Sequence, residues 1–467
     1  MYFAQHYLDC LSQASYLIGD EASGRAVVVD PRRDVDVYLA DAAEHGLRIE
    51  GVLLTHFHAD FLAGHLELAE RTGAWIGYGT AATTDFPVRH FADHERLVLG
   101  EGPDAVALEV LHTPGHTPES ISVLVYERAA DERAYGVLTG DALFIGDVGR
   151  PDLLASVGVT ADELGAMLHD SVQRTLMGLP DEVRVFPAHG AGSACGKNLS
   201  TEKWSTIGEQ RRTNYACQPM SVERFVEIVT EGQSVAPAYF AYDAMLNRQQ
   251  RETFDPSGVA ELDLAGLRAA VDADPAATLL DVRLAEDFNA GHLAGSVSIP
   301  LDGRFAETAG MVLRHDEPLV VIADDAAARD EAVVRLARIG FDRVVGSLVD
   351  LDAVLPTVPA DRVGHGSRLT PLALDGILAA RDDVTLVDLR NAAELEQGGV
   401  PGAHHLPLAQ LRDRIAELPT DAPVVVYCAG GWRSSVAASY LRSRGLTDVS
   451  DILGGFNAYQ LTRTPVA

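Results

Sequence analysis

Lysine is almost missing from this chain of 467 residues: only Lys197 and Lys203 occur, and arginine carries the rest of the positive charge. Acidic residues outnumber basic ones, 68 against 37, for a formal net charge of −31. Such a balance argues against nucleic acid and against anionic membrane surfaces as partners. Long apolar runs are also absent. No stretch approaches the roughly 18 residues that a membrane span needs, and the opening Met1-Tyr2-Phe3-Ala4-Gln5-His6 lacks the basic and apolar segments of a secretory leader. A cytoplasmic protein is the expectation. Cysteines number four, Cys10, Cys195, Cys217 and Cys428, too few and too widely spaced for a disulfide framework or a four-cysteine zinc site.

What is present is histidine and aspartate at the ends of apolar runs. Gly51-Val52-Leu53-Leu54 reads as a buried strand running into Thr55-His56-Phe57-His58-Ala59-Asp60. The alternation His-x-His-x-Asp lets His56, His58 and Asp60 converge from a short extended segment. Further strand-like runs end at His112 in His112-Thr113-Pro114-Gly115-His116, at Asp141 in Thr139-Gly140-Asp141, and at His189 in Pro187-Ala188-His189-Gly190. Helical spacing is expected over 34–45, over 60–72 beginning inside the histidine motif, and over 163–177. From Asn198 to about Arg251 the pattern becomes helical and aromatic, and reads as an extension packed on the first domain.

The remainder repeats itself. Thr278-Leu279-Leu280-Asp281-Val282-Arg283 matches Thr385-Leu386-Val387-Asp388-Leu389-Arg390, and Gly295 matches Gly402, both at a spacing of 107 residues. A period this long signals duplicated domains, because solenoid repeats run roughly 20 to 50 residues. The fold class is α/β, with domains expected at 1–250, 255–361 and 364–467, and a linker from Leu355 to Ser367. In the second copy a buried strand runs into Cys428-Ala429-Gly430-Gly431-Trp432-Arg433-Ser434 and a helix. A thiol at a strand-to-helix turn faces free backbone N–H groups and the positive helix end, both favouring thiolate. The first copy has Ala323-Asp324-Asp325 at that place, so no covalent sulfur carrier is possible there and that copy is expected to be a spacer or docking surface.

These motifs carry three resemblances. The order of histidine and aspartate motifs resembles the metallo-β-lactamase fold, an αββα sandwich with metals at one sheet edge. The Cys428 loop, with Asp388-Leu389-Arg390 and Pro401-Gly402-Ala403, resembles the rhodanese active-site loop, whose cysteine carries sulfur as a persulfide; Cys428 and Arg433 are then catalytic, and Gly430, Gly431, Trp432 and Ser434 line the substrate. Phe61 stands where two-zinc hydrolases of the fold place a histidine, and Thr139 to Phe144 continuing to Gly149-Arg150-Pro151-Asp152 resembles the persulfide dioxygenase branch. That resemblance implies one Fe(II) in the N-terminal domain, held by His56, His112 and Asp141. It also implies supporting roles for His58, Asp60 and His189, and a contact of Arg150 with the thiol carrier. The three-domain layout is similar to bacterial persulfide dioxygenase–sulfurtransferase fusions. It implies oxidation of a low-molecular-weight thiol persulfide by O₂ to sulfite, then sulfur transfer giving thiosulfate in sulfide detoxification, by a homo-oligomer. Cys195, in a loop expected to be flexible and with Lys197 close by, is a candidate catalytic sulfur relay; Cys10 and Cys217 read as structural. The competing readings are a glyoxalase II-type zinc thiolesterase and a persulfide sensor or sulfur carrier.

Overall fold

The computed structural model describes residues 1–153, 159–233 and 235–463; the last four residues of the third expected domain, like 154–158 and 234, lie outside them. The chain divides into two compact units, one formed by Met1–Ala236 with Phe240–Phe254, the other by Pro237–Tyr239 with Asp255–Ala467. Both copies of the repeat fall in the second unit. No helix among the described residues is long and apolar enough to cross a membrane.

The first unit is built on two six-stranded sheets. One holds β1 (Tyr2–Leu8), β2 (Gln13–Asp20), β3 (Arg25–Val29), β4 (Arg48–Leu53), β5 (Trp75–Gly79) and β6 (Arg89–Phe91) in that order. The other holds β7 (Arg96–Val98), β8 (Ala107–His112), β9 (Ile121–Tyr126), β10 (Gly136–Gly140), β11 (Arg184–Pro187) and β12 (Ser205–Thr206), also in chain order. Strand periodicity explains how the second sheet is covered on both faces. Leu108, Val110, Val123 and Val125 pack with Ile18, Val27, Val29 and Leu53 of the first sheet. The alternate residues Leu111, Leu124 and Tyr126 pack instead with Leu168, Phe225 and Val229 of two helices, Ala161–Asp170 and Val222–Thr230. The layers are thus helix, sheet, sheet, helix. The aromatic stretch after Asn198 does supply helices, at Ile207–Thr213, Val222–Thr230 and Tyr239–Leu246, with Phe225 and Val229 buried in this unit's core.

The helix expected to begin within the histidine motif starts later, at His65. Residues before it are held in an irregular loop: Gly64 N–H donates to the Pro31 carbonyl (2.8 Å) and Ala63 N–H to Asn247 Oδ1 (3.0 Å). Asp60 therefore sits on a loop and not on a first helical turn. The expected helix over 163–177 is helical at Ala161–Asp170 and continues as a wider π-type turn over Ser171–Leu176.

In the second unit each copy has a parallel sheet. The first consists of Val297–Ser298, Thr278–Asp281, Leu319–Ala323 and Val344–Val349; the second of Arg368–Leu369, Val449–Ile452, Val424–Tyr427, Thr385–Asp388 and His404–His405. Asp281 and Arg283 form a buried bidentate pair (Nε–Oδ1 3.1 Å, Nη2–Oδ2 2.9 Å), with Nη2 also donating to the Gly291 carbonyl. Asp388, Arg390 and Gly398 repeat this arrangement (2.9, 2.6 and 2.7 Å). The segment between the copies is not a bare linker, since Val363–Gly364 pairs with His292–Leu293.

Candidate metal centre and sulfur-transfer loop

Four loops at the ends of strands build the candidate metal centre. Gln13 and His189 pair across the two sheets, and the Ile121 N–H donates to the Thr55 carbonyl (2.9 Å), so the rim of one sheet is stitched to the rim of the other. His56 follows β4, Asp141 follows β10 directly, and His189 comes two residues after β11. Offering one ligand atom each, His56, His116 and Asp141 lie within 4.8 Å of one another; so do His58, Asp60 and His189, and so do Asp141, His189 and Cys195.

His112, the histidine expected to be a ligand, is not in this set. It ends β8, and its Nε2 is engaged by the Phe91 carbonyl at 2.9 Å. His116 takes the place instead, with Nε2 3.4 Å from Asp141 Oδ2. The physical reason is the turn between them. Gly115 has φ 142°, and a Cβ there would lie 2.3 Å from Leu168 Cα, so only glycine lets the loop press onto the helix and fold His116 inward. The second histidine of His-Thr-Pro-Gly-His was visible in the sequence, but nothing in the strand pattern chose between the two.

Hydrogen bonds fix the tautomers. Thr55 Oγ1 donates to Asp30 Oδ2 (2.8 Å), so His56 Nδ1 must donate to Thr55 Oγ1 (2.9 Å), leaving its Nε2 lone pair free. His116 Nδ1 donates to the Arg150 carbonyl (2.9 Å) and His189 Nδ1 to the Ser12 carbonyl (3.3 Å), with the same consequence. His58 is different: its Nε2 faces Asp30 Oδ1 at 2.9 Å. Burial, together with the neighbouring histidines, pushes His56 well below its ordinary pKa, keeping it neutral. Burial would lower His58 as well, but the Asp30 carboxylate overrides it and raises the group. Asp60 is raised by burial.

Both oxygens of Asp141, Oδ1 of Asp60 and Nε2 of His189 are buried without a hydrogen-bond partner. Several orphaned lone pairs in one dry spot are costly unless a cation satisfies them. The donor set of two imidazoles and a carboxylate with room for further ligands suits a divalent transition metal, and it fits iron in the arrangement of non-haem oxygenases. Phe61, in place of a further histidine, packs its ring on His58 at 4.3 Å between centroids.

Three polar residues that the sequence reading did not single out hold the histidine loop. Asp30 accepts from the Thr55 N–H (2.8 Å), Glu119 from the Phe57 N–H (3.0 Å), and Asn247 Nδ2 donates to the carbonyls of His58 (2.8 Å) and Phe61 (2.9 Å). Their positions, 25 to 189 residues away, carry no local signal.

Arg150 is buried, and its guanidinium is bound twice by Asp152 (2.7 and 2.6 Å), leaving Nη1 without a partner. The Cys195 loop, expected to be flexible, is pinned: Asp147 Oδ2 accepts from the N–H groups of Lys197 (2.6 Å) and Asn198 (2.7 Å), and Asp147 Oδ1 from Tyr215 Oη (2.6 Å). Lys197 does not serve the thiol, because its ammonium group caps the carbonyls of Ile228 and Glu231. Burial and the charges of Asp60 and Asp141 push the Cys195 thiol well above its ordinary pKa. Cys217 is core, raised to about 12 by burial.

In the second unit Cys428 directly follows the strand Val424–Tyr427 and precedes the helix Trp432–Ser443. The Gly431 N–H points at Sγ (3.1 Å) and Ser434 Oγ lies 3.6 Å away. Gly431 adopts φ 99°, a conformation that a side chain would strain. Arg433, expected to offer a donor, is held through both terminal nitrogens by Glu394 (2.6 Å each) and interacts with Cys428 as well, and the Trp432 indole N–H reaches Thr308 Oγ1 of the first copy (3.4 Å). In the first copy Ala323 ends the strand and Asp325 caps the following helix through the Ala328 N–H (2.8 Å), so a carboxylate occupies the turn that the second copy keeps open.

Family models agree with this division. The metallo-beta-lactamase superfamily model matches residues 8–189, and the rhodanese-like domain model matches 263–349 and 371–462. A solved metallo-beta-lactamase from Staphylococcus aureus is 32% identical with a TM-score of 0.66, covering 74% of this chain and 99% of its own. The human protein named persulfide dioxygenase ETHE1, mitochondrial, is 29% identical over 221 residues, 46% of this chain and 75% of that one. A sulfurtransferase of Allochromatium vinosum is 40% identical over 89 residues, 19% of this chain and 83% of that one. Against several other curated relatives the match spans only about half of the relative's length, 49 to 52%.

Proposed function

Because the chain belongs to the family in which a metallo-β-lactamase domain related to persulfide dioxygenases is fused to two rhodanese-like domains, we propose that it is an enzyme of thiol persulfide oxidation. In this reading RSSH, O₂ and water give RSH, sulfite and two protons at the N-terminal centre. Cys428, carrying a sulfane sulfur, then transfers it to sulfite, so that the S–S bond to Cys428 breaks, thiosulfate leaves and the thiolate is restored. The reaction takes place in the cytoplasm and removes sulfide-derived sulfur.

The observation that carries this proposal is the trio His56, His116 and Asp141, with its free Nε2 lone pairs and orphaned carboxylate oxygens. Fe(II), held by these three residues, would supply the Lewis-acid and redox chemistry that the reaction of the substrate sulfur with O₂ needs. The chain's own residues do the rest. Thr55 and the Arg150 carbonyl set the ring orientations of His56 and His116. The buried loop excludes bulk water, and Nη1 of Arg150 is the donor left over for the thiol carrier. At Cys428 the Gly431 N–H stabilises negative sulfur.

The test is a product swap. Iron-loaded protein given glutathione persulfide should consume O₂ and accumulate thiosulfate, and the Cys428→Ala variant should consume O₂ at a similar rate but accumulate sulfite. Hydrolysis of a glutathione thioester with no O₂ uptake would instead assign the chain to the thiolesterase reading.

A further inference from the structure

The two copies of the repeat differ in how the helix after the loop is covered. In the first copy the helix Ala326–Ala337 is buried mainly from Ala332 on, while Ala326, Ala327 and Asp330 near its start are exposed. In the second copy the helix Trp432–Ser443 is buried without a break from Ser434 to Leu441. Three ties to the first copy run along it. At its start the Trp432 indole N–H donates to Thr308 Oγ1 (3.4 Å). In its middle Ser439 Oγ accepts the N–H of Ser298 (2.9 Å) and donates to the Val436 carbonyl (2.8 Å). Ser298 ends an edge strand, so Ser439 satisfies an N–H that would otherwise be buried without an acceptor. At its end Arg444 Nη2 lies 3.3 Å from both carboxylate oxygens of Glu317.

The first copy's side of the contact is itself firmly seated. Thr308 is 4% exposed and lies in the helix Phe305–Val312. Buried Arg335 donates to the carbonyls of Leu301 and Gly303, and its guanidinium sits over the Phe305 ring at 5.4 Å. On the other side, Gly430 and Gly431 leave the turn after Cys428 with no side chain to hold it, and Gly431 adopts φ 99°. The geometry of that turn has to be imposed from outside it.

We propose that Thr308 of the first copy is a positioning residue for Cys428: by holding Trp432, the first residue of the helix, it fixes the Gly431 N–H that points at Sγ. The inference rests on the proposed function in taking Cys428 as the reacting thiol. An N–H at a helix start favours thiolate only while distance and angle are kept. The loop carries every reacting group itself, and the copy without a thiol sets how steadily the helix behind that loop is held.

The experiment is alkylation of Cys428 by iodoacetamide in the full-length protein, followed by peptide mass mapping from mildly acidic to alkaline pH. Thr308→Val keeps the side chain's shape and removes the acceptor. It should slow alkylation about threefold near neutral pH, with rates converging on wild type at alkaline pH, as loss of thiolate requires. Thr308→Ser keeps the hydroxyl and should react as wild type does. Trp432→Phe removes the same bond from the other side, so adding it to Thr308→Val should slow the reaction no further. Wild-type protein that shows this alkylation pattern but moves no sulfur from thiosulfate to cyanide counts against the sulfur-carrier reading alone. Unchanged rates in Thr308→Val, a change equal at every pH, or the same slowing in Thr308→Ser overturns the positioning role.

Discussion

The two chemical centres of this chain are built on opposite plans. The proposed metal centre draws His56, His116, Asp141 and their supports Asp30, Glu119, His189 and Asn247 from stretches more than 200 residues apart, and it exists only when two sheets and a helical extension are assembled. The proposed sulfur-transfer centre is one contiguous loop, Cys428 to Ser434, set between a strand and a helix, with Glu394 as its main outside tie. A dispersed site is sensitive to substitutions far along the chain, and a contiguous one is lost or kept as a cassette.

The sharpest way to break the comparison is at the loop after β8. His116→Ala should lower metal affinity more than a hundredfold and His112→Ala less than tenfold, measured by competition with a chelator. The reverse order would return the centre to a strand-end histidine. Next in size is Glu67, buried between Arg33 (2.9 Å) and Arg251 (2.6 Å), which ties the end of the helical extension to the helix after the histidine loop. Burial alone would raise this carboxyl, but the two arginines outweigh it and pull its pKa from 4.5 to about 2. A folded pKa below the unfolded one stabilises above the unfolded value and is lost as pH falls. Glu67→Gln should thus cost about 3 kcal/mol at neutral pH, and the gap from wild type should narrow as pH drops from 4.5 toward 2; denaturant midpoints across that range check it. Smaller still is Asn247→Ala, which removes the clamp on the His58 and Phe61 carbonyls and should weaken metal binding about tenfold, seen in the same chelator competition. The smallest effect belongs to the cassette: Ala323→Cys in the first copy, made in a Cys428→Ala background, should restore no sulfurtransferase turnover, because Asp324 and Asp325 replace the open turn. Restored thiosulfate formation would mean that a thiol alone makes the site.

The same contrast explains what was legible beforehand. The Cys428 loop, the Asp-x-Arg frame of both copies and the blank at Ala323 could be read directly, because each is local and the repeat supplies its own control. An α/β layered domain was legible from the alternating runs, and the αββα sandwich from the resemblance carried by the order of histidine and aspartate motifs. What could not be read was any choice settled by tertiary packing. His112 and His116 differ only in which side of a glycine turn packed on Leu168 they fall. Asp60 looked like the start of a helix until Asn247 and Pro31 held its loop open. Arg150 and Arg433 are held by Asp152 and Glu394, and Lys197 is spent on the carbonyls at a helix end, pairings that only the folded chain reveals.

The most direct test of the account is oxygen stoichiometry in Cys428→Ala protein loaded anaerobically with Fe(II) and then given a glutathione persulfide in air-saturated buffer. One O₂ consumed per sulfite formed, abolished by His116→Ala, is the predicted result. Iron-loaded protein that leaves dissolved oxygen unchanged would contradict it.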